Sequence, residues 1–146
     1  MNIVVGSDHA GFHLKEHLKT LLYKWGHDVV DVGVHDGTAS VDYPDYGSAV
    51  GKKVIELGAE TRGLAVCGSG IGISIAANKV PGIRAALVND STGARLSRQH
   101  NDANVLCLGE RLVGPTVAED ALKTFLETPF EGGRHARRVE KLDQLK

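Results

Sequence analysis

Long hydrophobic runs are missing from this sequence. No apolar stretch approaches the roughly 20 residues that span a bilayer, which excludes a helical membrane protein. Cysteine is scarce: Cys67 and Cys107 are the only two in 146 residues, too few for a disulfide framework. Charge of one sign is missing as well. Seventeen Lys and Arg against eighteen Asp and Glu leave a net charge of -1, so no global positive field attracts a nucleic-acid backbone or an anionic membrane. An anionic ligand has to be met by a local cluster instead. The chain runs straight into Ile3-Val4-Val5, without the charged and then apolar regions of a secretory signal, and a reducing cytoplasm is the expected compartment. Hydrophobic residues at 42% and charged residues at 24% match ordinary globular composition rather than disorder. A single domain over residues 1–146 is expected, large enough to bury roughly two-thirds of its unfolded surface.

Glycine is what the sequence has in abundance, with 18 residues. The glycines punctuate short apolar runs at Ile3 to Val5, Val29 to Val32, Leu64 to Cys67, Ile83 to Val88 and Val105 to Leu108, which predict five strands. Leu14, Leu18, Leu21, Leu22 and Trp25 have helical spacing, and Gly26 stands where a C-terminal cap belongs. Further helices are predicted from about Tyr46 to Leu57, after the Gly68 to Gly72 cluster, from Ser91 towards His100, and from Pro115 to just before Thr128-Pro129. Strands alternating with helices, several of the strands apolar throughout, imply an α/β fold of Rossmann-like, three-layer type with a five-stranded parallel sheet. Past the Gly132-Gly133 break, Ala136, Val139, Leu142 and Leu145 recur every three residues among Arg134, Arg137, Arg138 and Lys141. This predicts a C-terminal amphipathic helix, too short to be stable unless it docks.

Ligands of such sheets bind beyond the carboxyl ends of the strands. The first strand ends in Gly6-Ser7-Asp8-His9-Ala10-Gly11, the third in Cys67-Gly68-Ser69-Gly70-Ile71-Gly72 and the fifth in Gly109-Glu110-Arg111, all at one edge. Glycines just before a helix let backbone N–H groups converge on an anion, and the helix dipole adds to the attraction. The same turn without a ligand is an ordinary strand-to-helix connection. G-x-G-x-G is one residue short of the dinucleotide fingerprint and follows the third strand, which argues against a nicotinamide cofactor; no Lys-Ser or Lys-Thr pair makes a P-loop. Cys67, at the mouth of the turn, is either a candidate base or nucleophile or a small buried core residue. Cys107 reads as a small core residue. His100 lies in the polar run Arg98 to Asn104 and is either a solvated helix end or a proton donor. His9, His13 and His17 are spaced by four but lack a second ligand cluster, which argues against zinc.

Taken together, Gly6 to Gly11, Asp42-Tyr43-Pro44, Cys67 to Lys79, Ser97-Arg98-Gln99-His100-Asn101 and Glu131-Gly132-Gly133-Arg134-His135 closely resemble the type B ribose-5-phosphate isomerases, a superfamily that also holds galactose-6-phosphate and allose-6-phosphate isomerases. The resemblance implies an aldose–ketose isomerisation without metal or other cofactor, through a cis-enediolate, in the non-oxidative pentose phosphate pathway. Cys67 is then the base that moves a proton between C2 and C1, and His100 the acid that helps open the furanose. Ser69, where the family often has threonine, orients Cys67 or relays a proton. Asp8 binds sugar hydroxyls, and the backbone of Gly68, Gly70, Ile71 and Gly72 stabilises the enediolate oxygen. His9, Arg134 and Arg138 hold the phosphate, and Tyr43, Asn101 and Arg111 line the pocket. Relatives without the cysteine use a glutamate further along the loop; here that stretch offers Ser74 and no acid. The implied partners are a sugar phosphate and further copies of the chain, as a homodimer or dimer of dimers with shared sites, and neither nucleic acid nor membrane. A hexose-6-phosphate isomerase, a non-catalytic sugar-phosphate binder and a thiol hydrolase using Cys67 with His100 are the competing readings.

Overall fold

A computed structural model describes residues 1–145. In chain order it comprises β1 (Asn2–Ser7), α1 (Phe12–Lys24), β2 (Asp28–Asp31), α2 (Tyr43–Leu57), β3 (Arg62–Cys67), α3 (Ile71–Asn78), β4 (Ala85–Leu87), α4 (Ser91–Asn101), β5 (Val105–Gly109), α5 (Pro115–Glu127) and α6 (Arg134–Gln144). The five strands form one parallel sheet in the order β2-β1-β3-β5-β4. The chain leaves β1 towards one edge and returns to lay β3 on its other side, so the crevice between β1 and β3 is the switch point at which α/β sheets bind ligands. No helix among the described residues is long and apolar enough to cross a membrane.

The sheet separates two cores because alternate residues of a strand face opposite ways. Ile3, Val5, Leu64, Val66, Leu106 and Leu108 pack against α1, α4 and α5, with Phe125 fully inside. Val4, Ala65, Cys67, Val105 and Cys107 face α2 and α3, against Val50, Val54, Ile73 and Ala77. Both faces of the central strands are covered, hence their continuous apolar runs.

Several elements differ in extent from the sequence expectation. Helix α2 starts at Tyr43, three residues earlier, because Pro44 occupies its first turn, where a missing N–H costs nothing. Strand β4 covers Ala85–Leu87 rather than 83 to 88, although Ile83 and Val88 are buried at its ends. Gly72 lies inside α3, whose N-cap is Gly70. Helix α6 docks through His135 and Val139, one turn apart, while Ala136, Leu142 and Leu145 of the anticipated stripe are exposed.

One buried residue on α1 breaks the apolar pattern. Lys15 is 0% exposed, its ammonium donating to Asp31 Oδ1 at 3.0 Å, Asp31 Oδ2 at 3.1 Å and the Val34 carbonyl at 2.6 Å. A buried charge is tolerated only when paired and hydrogen-bonded, and Asp31 also accepts from Lys19 and from the Gly33 N–H. Burial pushes the Asp31 carboxyl up, but the bonds from Lys19, Gly33 and Lys15 outweigh it and hold it below the ordinary carboxylate value. The stability this contributes is present above the unfolded carboxylate range and is lost as pH falls through the depressed folded value. Asp31→Asn, which leaves the Lys15 charge uncompensated, is expected to destabilise the chain by about 3–5 kcal/mol at neutral pH and to flatten the acid limb of stability. Urea unfolding of both proteins across the acidic range measures this; parallel acid limbs would remove Asp31 from the role.

Candidate active site

The carboxyl ends of β1, β3 and β5 lie side by side, so their following turns meet. Glu110 N–H donates to the Cys67 carbonyl at 2.9 Å and Arg111 N–H to the Gly68 carbonyl at 3.0 Å, tying the turn after β5 to the turn after β3. The Glu110 carboxylate reaches across to accept the Leu14 N–H at 2.6 Å in the first turn of α1, where helix donors are otherwise unpaired. Three strand ends and one helix start are thereby fixed together.

Within this frame the Cys67 sulfur accepts the Gly70 N–H at 3.1 Å. Gly70 can aim that donor because it adopts φ +78°, a conformation that a side chain disfavours. The Ser69 hydroxyl oxygen accepts the Ile71 N–H at 3.2 Å. The sulfur is therefore oriented by the Gly70 backbone, whereas Ser69 satisfies the start of α3. The Arg111 guanidinium lies over Gly68, and the Tyr43 ring over Gly72 so closely that a side chain at Gly72 would strike it. Asp8 is buried, one carboxylate oxygen accepting the Gly11 N–H at 3.0 Å. The His9 Nδ1 accepts the Val41 N–H at 3.1 Å, so the neutral ring carries its proton on Nε2. The loop supplying that N–H is anchored by the Lys15–Asp31 pair. His13 and His17 are exposed, apart from the His9 ring.

His100, Asn101, Arg134 and Arg138 lie elsewhere. Helix α4 begins beyond the carboxyl end of β4 and runs back along the sheet, ending where Asn104 bonds to Arg84 and Gly63 at the amino ends of β4 and β3. A six-residue strand spans on the order of 20 Å, so Cys67 and His100 occupy opposite edges of one chain. Around His100 the structure gathers Glu131, whose carboxylate is 3.9 Å from Nε2, and His135, whose ring stacks at 4.4 Å between centroids. Desolvation, followed by the positive charge of His100 and Arg134, holds His135 below the ordinary histidine value. No spacing in the sequence links His135 to His100. Nor did it single out Glu110 or Lys15.

A doubly wound α/β protein with a cysteine set in a glycine-rich turn at its switch point is the class that this fold and site define. The Ribose/Galactose Isomerase family model matches residues 3–142, and the chain belongs to that family. Ribose-5-phosphate isomerase B of Escherichia coli is 43% identical over 143 residues, covering 98% of this chain and 95% of that protein. The structure of Clostridium thermocellum ribose-5-phosphate isomerase B superposes with a TM-score of 0.95 at 52% identity, over 99% of this chain and 96% of that one. The Mycoplasma genitalium ribose-5-phosphate isomerase B, solved with bound ribulose-5-phosphate, gives a TM-score of 0.94 at 42% identity, over 98% and 94% of the two chains.

The two thiols differ in surroundings. Cys107 is fully enclosed in the sheet, and burial pushes its thiol far up. A polar thiol reagent is expected to modify Cys67 alone in the native protein, and Cys107 only after denaturation. Labelling of Cys107 at a comparable native rate would contradict this arrangement.

Proposed function

We propose that this chain interconverts ribose 5-phosphate and ribulose 5-phosphate at a site assembled from two copies of itself. Family membership makes it an aldose–ketose isomerase, and the observation that carries the catalytic assignment is the Cys67 sulfur seated in the Gly70 turn. On the opened aldose, the sulfur takes the proton from C2 while the C1 carbonyl becomes the enediolate oxygen. The C2 hydroxyl proton passes to O1, and the proton held on the sulfur is returned to C1 as the C2 oxygen becomes the carbonyl. With the Gly70 and Ile71 N–H groups committed to the Cys67 sulfur and the Ser69 hydroxyl, the Gly72 N–H in the first turn of α3 is left to face the developing negative oxygen, an interaction of a kind that contributes several kcal/mol in such sites. Asp8 holds sugar hydroxyls, and Tyr43 and Arg111 bound the pocket over Gly72 and Gly68.

The remaining groups come from the partner subunit. Ring opening needs an acid, and the phosphate needs cations, yet His100, Asn101, Arg134 and Arg138 sit an entire strand length from Cys67. Tyr43, Ile71, Ile75, Leu87 and Leu112 are exposed around the Cys67 edge, an apolar rim that favours being covered. A second copy whose α4–α6 edge covers that rim supplies His100 to the furanose oxygen, and Arg134 and Arg138 to the phosphate opposite His9. In a two-fold pair each chain gives and receives, so two sites form. The family description covers ribose and galactose isomerases, and steady-state rates with ribose 5-phosphate, galactose 6-phosphate and allose 6-phosphate rank the substrates.

Mixing two dead proteins tests the shared site. Cys67→Ala and His100→Asn should each be nearly inactive; unfolded and refolded together in equal amounts, they should recover about a quarter of parental activity, since half the dimers are hybrid and each hybrid holds one intact site. Recovery near zero would place both residues in a site within one chain. For His100→Asn alone, exchange of solvent deuterium into an acyclic analogue, which needs no ring opening, should survive far better than turnover of ribose 5-phosphate.

A further inference from the structure

The His100 edge carries an arrangement that neither phosphate binding nor ring opening requires. His100 in the last turn of α4, Glu131 before α6 and His135 in the first turn of α6 each place one ligating atom within 4.8 Å of the others. Two backbone devices bring them together. Glu131 N–H donates to the Gln99 carbonyl at 3.1 Å, pinning this segment beside the end of α4. Gly132 and Gly133, at φ +67° and +56°, then reverse the chain so that His135 returns onto His100. The rings stack with only 11° between their planes. Among the described residues, the 3.9 Å approach of Glu131 to His100 is the one polar contact these three side chains make, leaving their lone pairs uncommitted.

We propose that His100, Glu131 and His135 form a site for a borderline-soft divalent cation, Zn²⁺ or a close equivalent, and that its occupation inhibits the enzyme by withdrawing His100 from proton transfer. Two imidazoles and a carboxylate form a familiar zinc donor set, leaving a fourth position for water. Bonds of about 2.0–2.2 Å require the donors to close by roughly 1 Å and the His100 ring to tilt out of its stack until the two imidazole lone pairs converge. The half-exposed side chains of His100 and Glu131, at 41% and 50%, have the freedom to do so. Arg134 and Arg138 on the same helix oppose any cation, which selects for metals that bind imidazole strongly and against weakly held, oxygen-preferring Mg²⁺. Metal binding stands independently of the isomerase assignment; inhibition rests on it.

The test uses calorimetric Zn²⁺ titration of the full chain, Co²⁺ absorption spectra and turnover. One Zn²⁺ per chain is expected, with no Mg²⁺ binding. Affinity should fall at least about tenfold in both His135→Ala and Glu131→Gln, because removing a ligand costs no less than removing its supporting partner. Glu131 is exposed, so its variant answers the question even if loss of the buried His135 disturbs α6. Cys67→Ala should bind normally, and Co²⁺ should show no thiolate charge-transfer band. Zn²⁺ should inhibit the parent reversibly, the inhibition constant shifting in Glu131→Gln by the same factor as the affinity. Unchanged affinity in both ligand variants, or binding lost with Cys67, overturns the site. Zn²⁺ bound at the cluster with turnover undiminished overturns the inhibition. A parent inactive on every sugar phosphate, yet binding Zn²⁺ as described, would count against the isomerase assignment and not against the metal site.

Discussion

The contact between the turns that follow β3 and β5 is the constraint on which the functional edge depends. Two backbone hydrogen bonds, from Glu110 to Cys67 and from Arg111 to Gly68, lock the cysteine loop to its neighbour. Gly109 lets the end of β5 lie directly against the Ser69 backbone. Helix α3 then starts at Ile71, whose own N–H is taken by the Ser69 hydroxyl. The Cys67 sulfur, on the α2/α3 side of the sheet because of strand alternation, accepts the Gly70 N–H just before that start. Its chemistry is thus a product of backbone geometry, with Gly70 rather than a neighbouring side chain as its orienting partner.

A second constraint acts at the other side of the crevice. The buried Lys15 ammonium binds both the end of β2, through Asp31, and the loop beyond it, through the Val34 carbonyl. That loop continues to Val41, whose N–H sets the His9 tautomer, and to Tyr43, which closes over Gly72. An apolar residue at position 15 would pack in the helix stripe but could not tether the loop. Burying the charge is offset by a complete set of acceptors and positions the His9 and Tyr43 rings at once.

The near-neutral net charge leaves the cations gathered in local clusters. One edge carries Cys67 with Asp8, Glu110 and Arg111 around its turns; the other gathers Arg134, Arg138 and His100. The pairing proposed above would bring these edges together and make a positive pocket for a dianion without a globally basic surface. Under that proposal the cations of α6, a basic helix with little buried apolar area, serve the neighbouring chain.

Much was legible in the sequence because it is governed by local physics. The apolar runs, glycine punctuation and helical spacing of Leu14, Leu18 and Leu22 identified five strands, the helices and a parallel sheet, and the Cys67 glycine turn stood out by composition. Boundaries slipped where one residue outweighed periodicity, as Pro44 did in starting α2. The partnership of Lys15 with Asp31, of Glu110 with α1 and of His135 with His100 left no periodic trace, since each joins segments whose proximity arises only on folding. The family resemblance put His100 among the expected site residues without revealing on which edge it stands. That was decided by the tertiary structure: α4 must run antiparallel to the strands it connects, so its last turn lies a full strand length from Cys67.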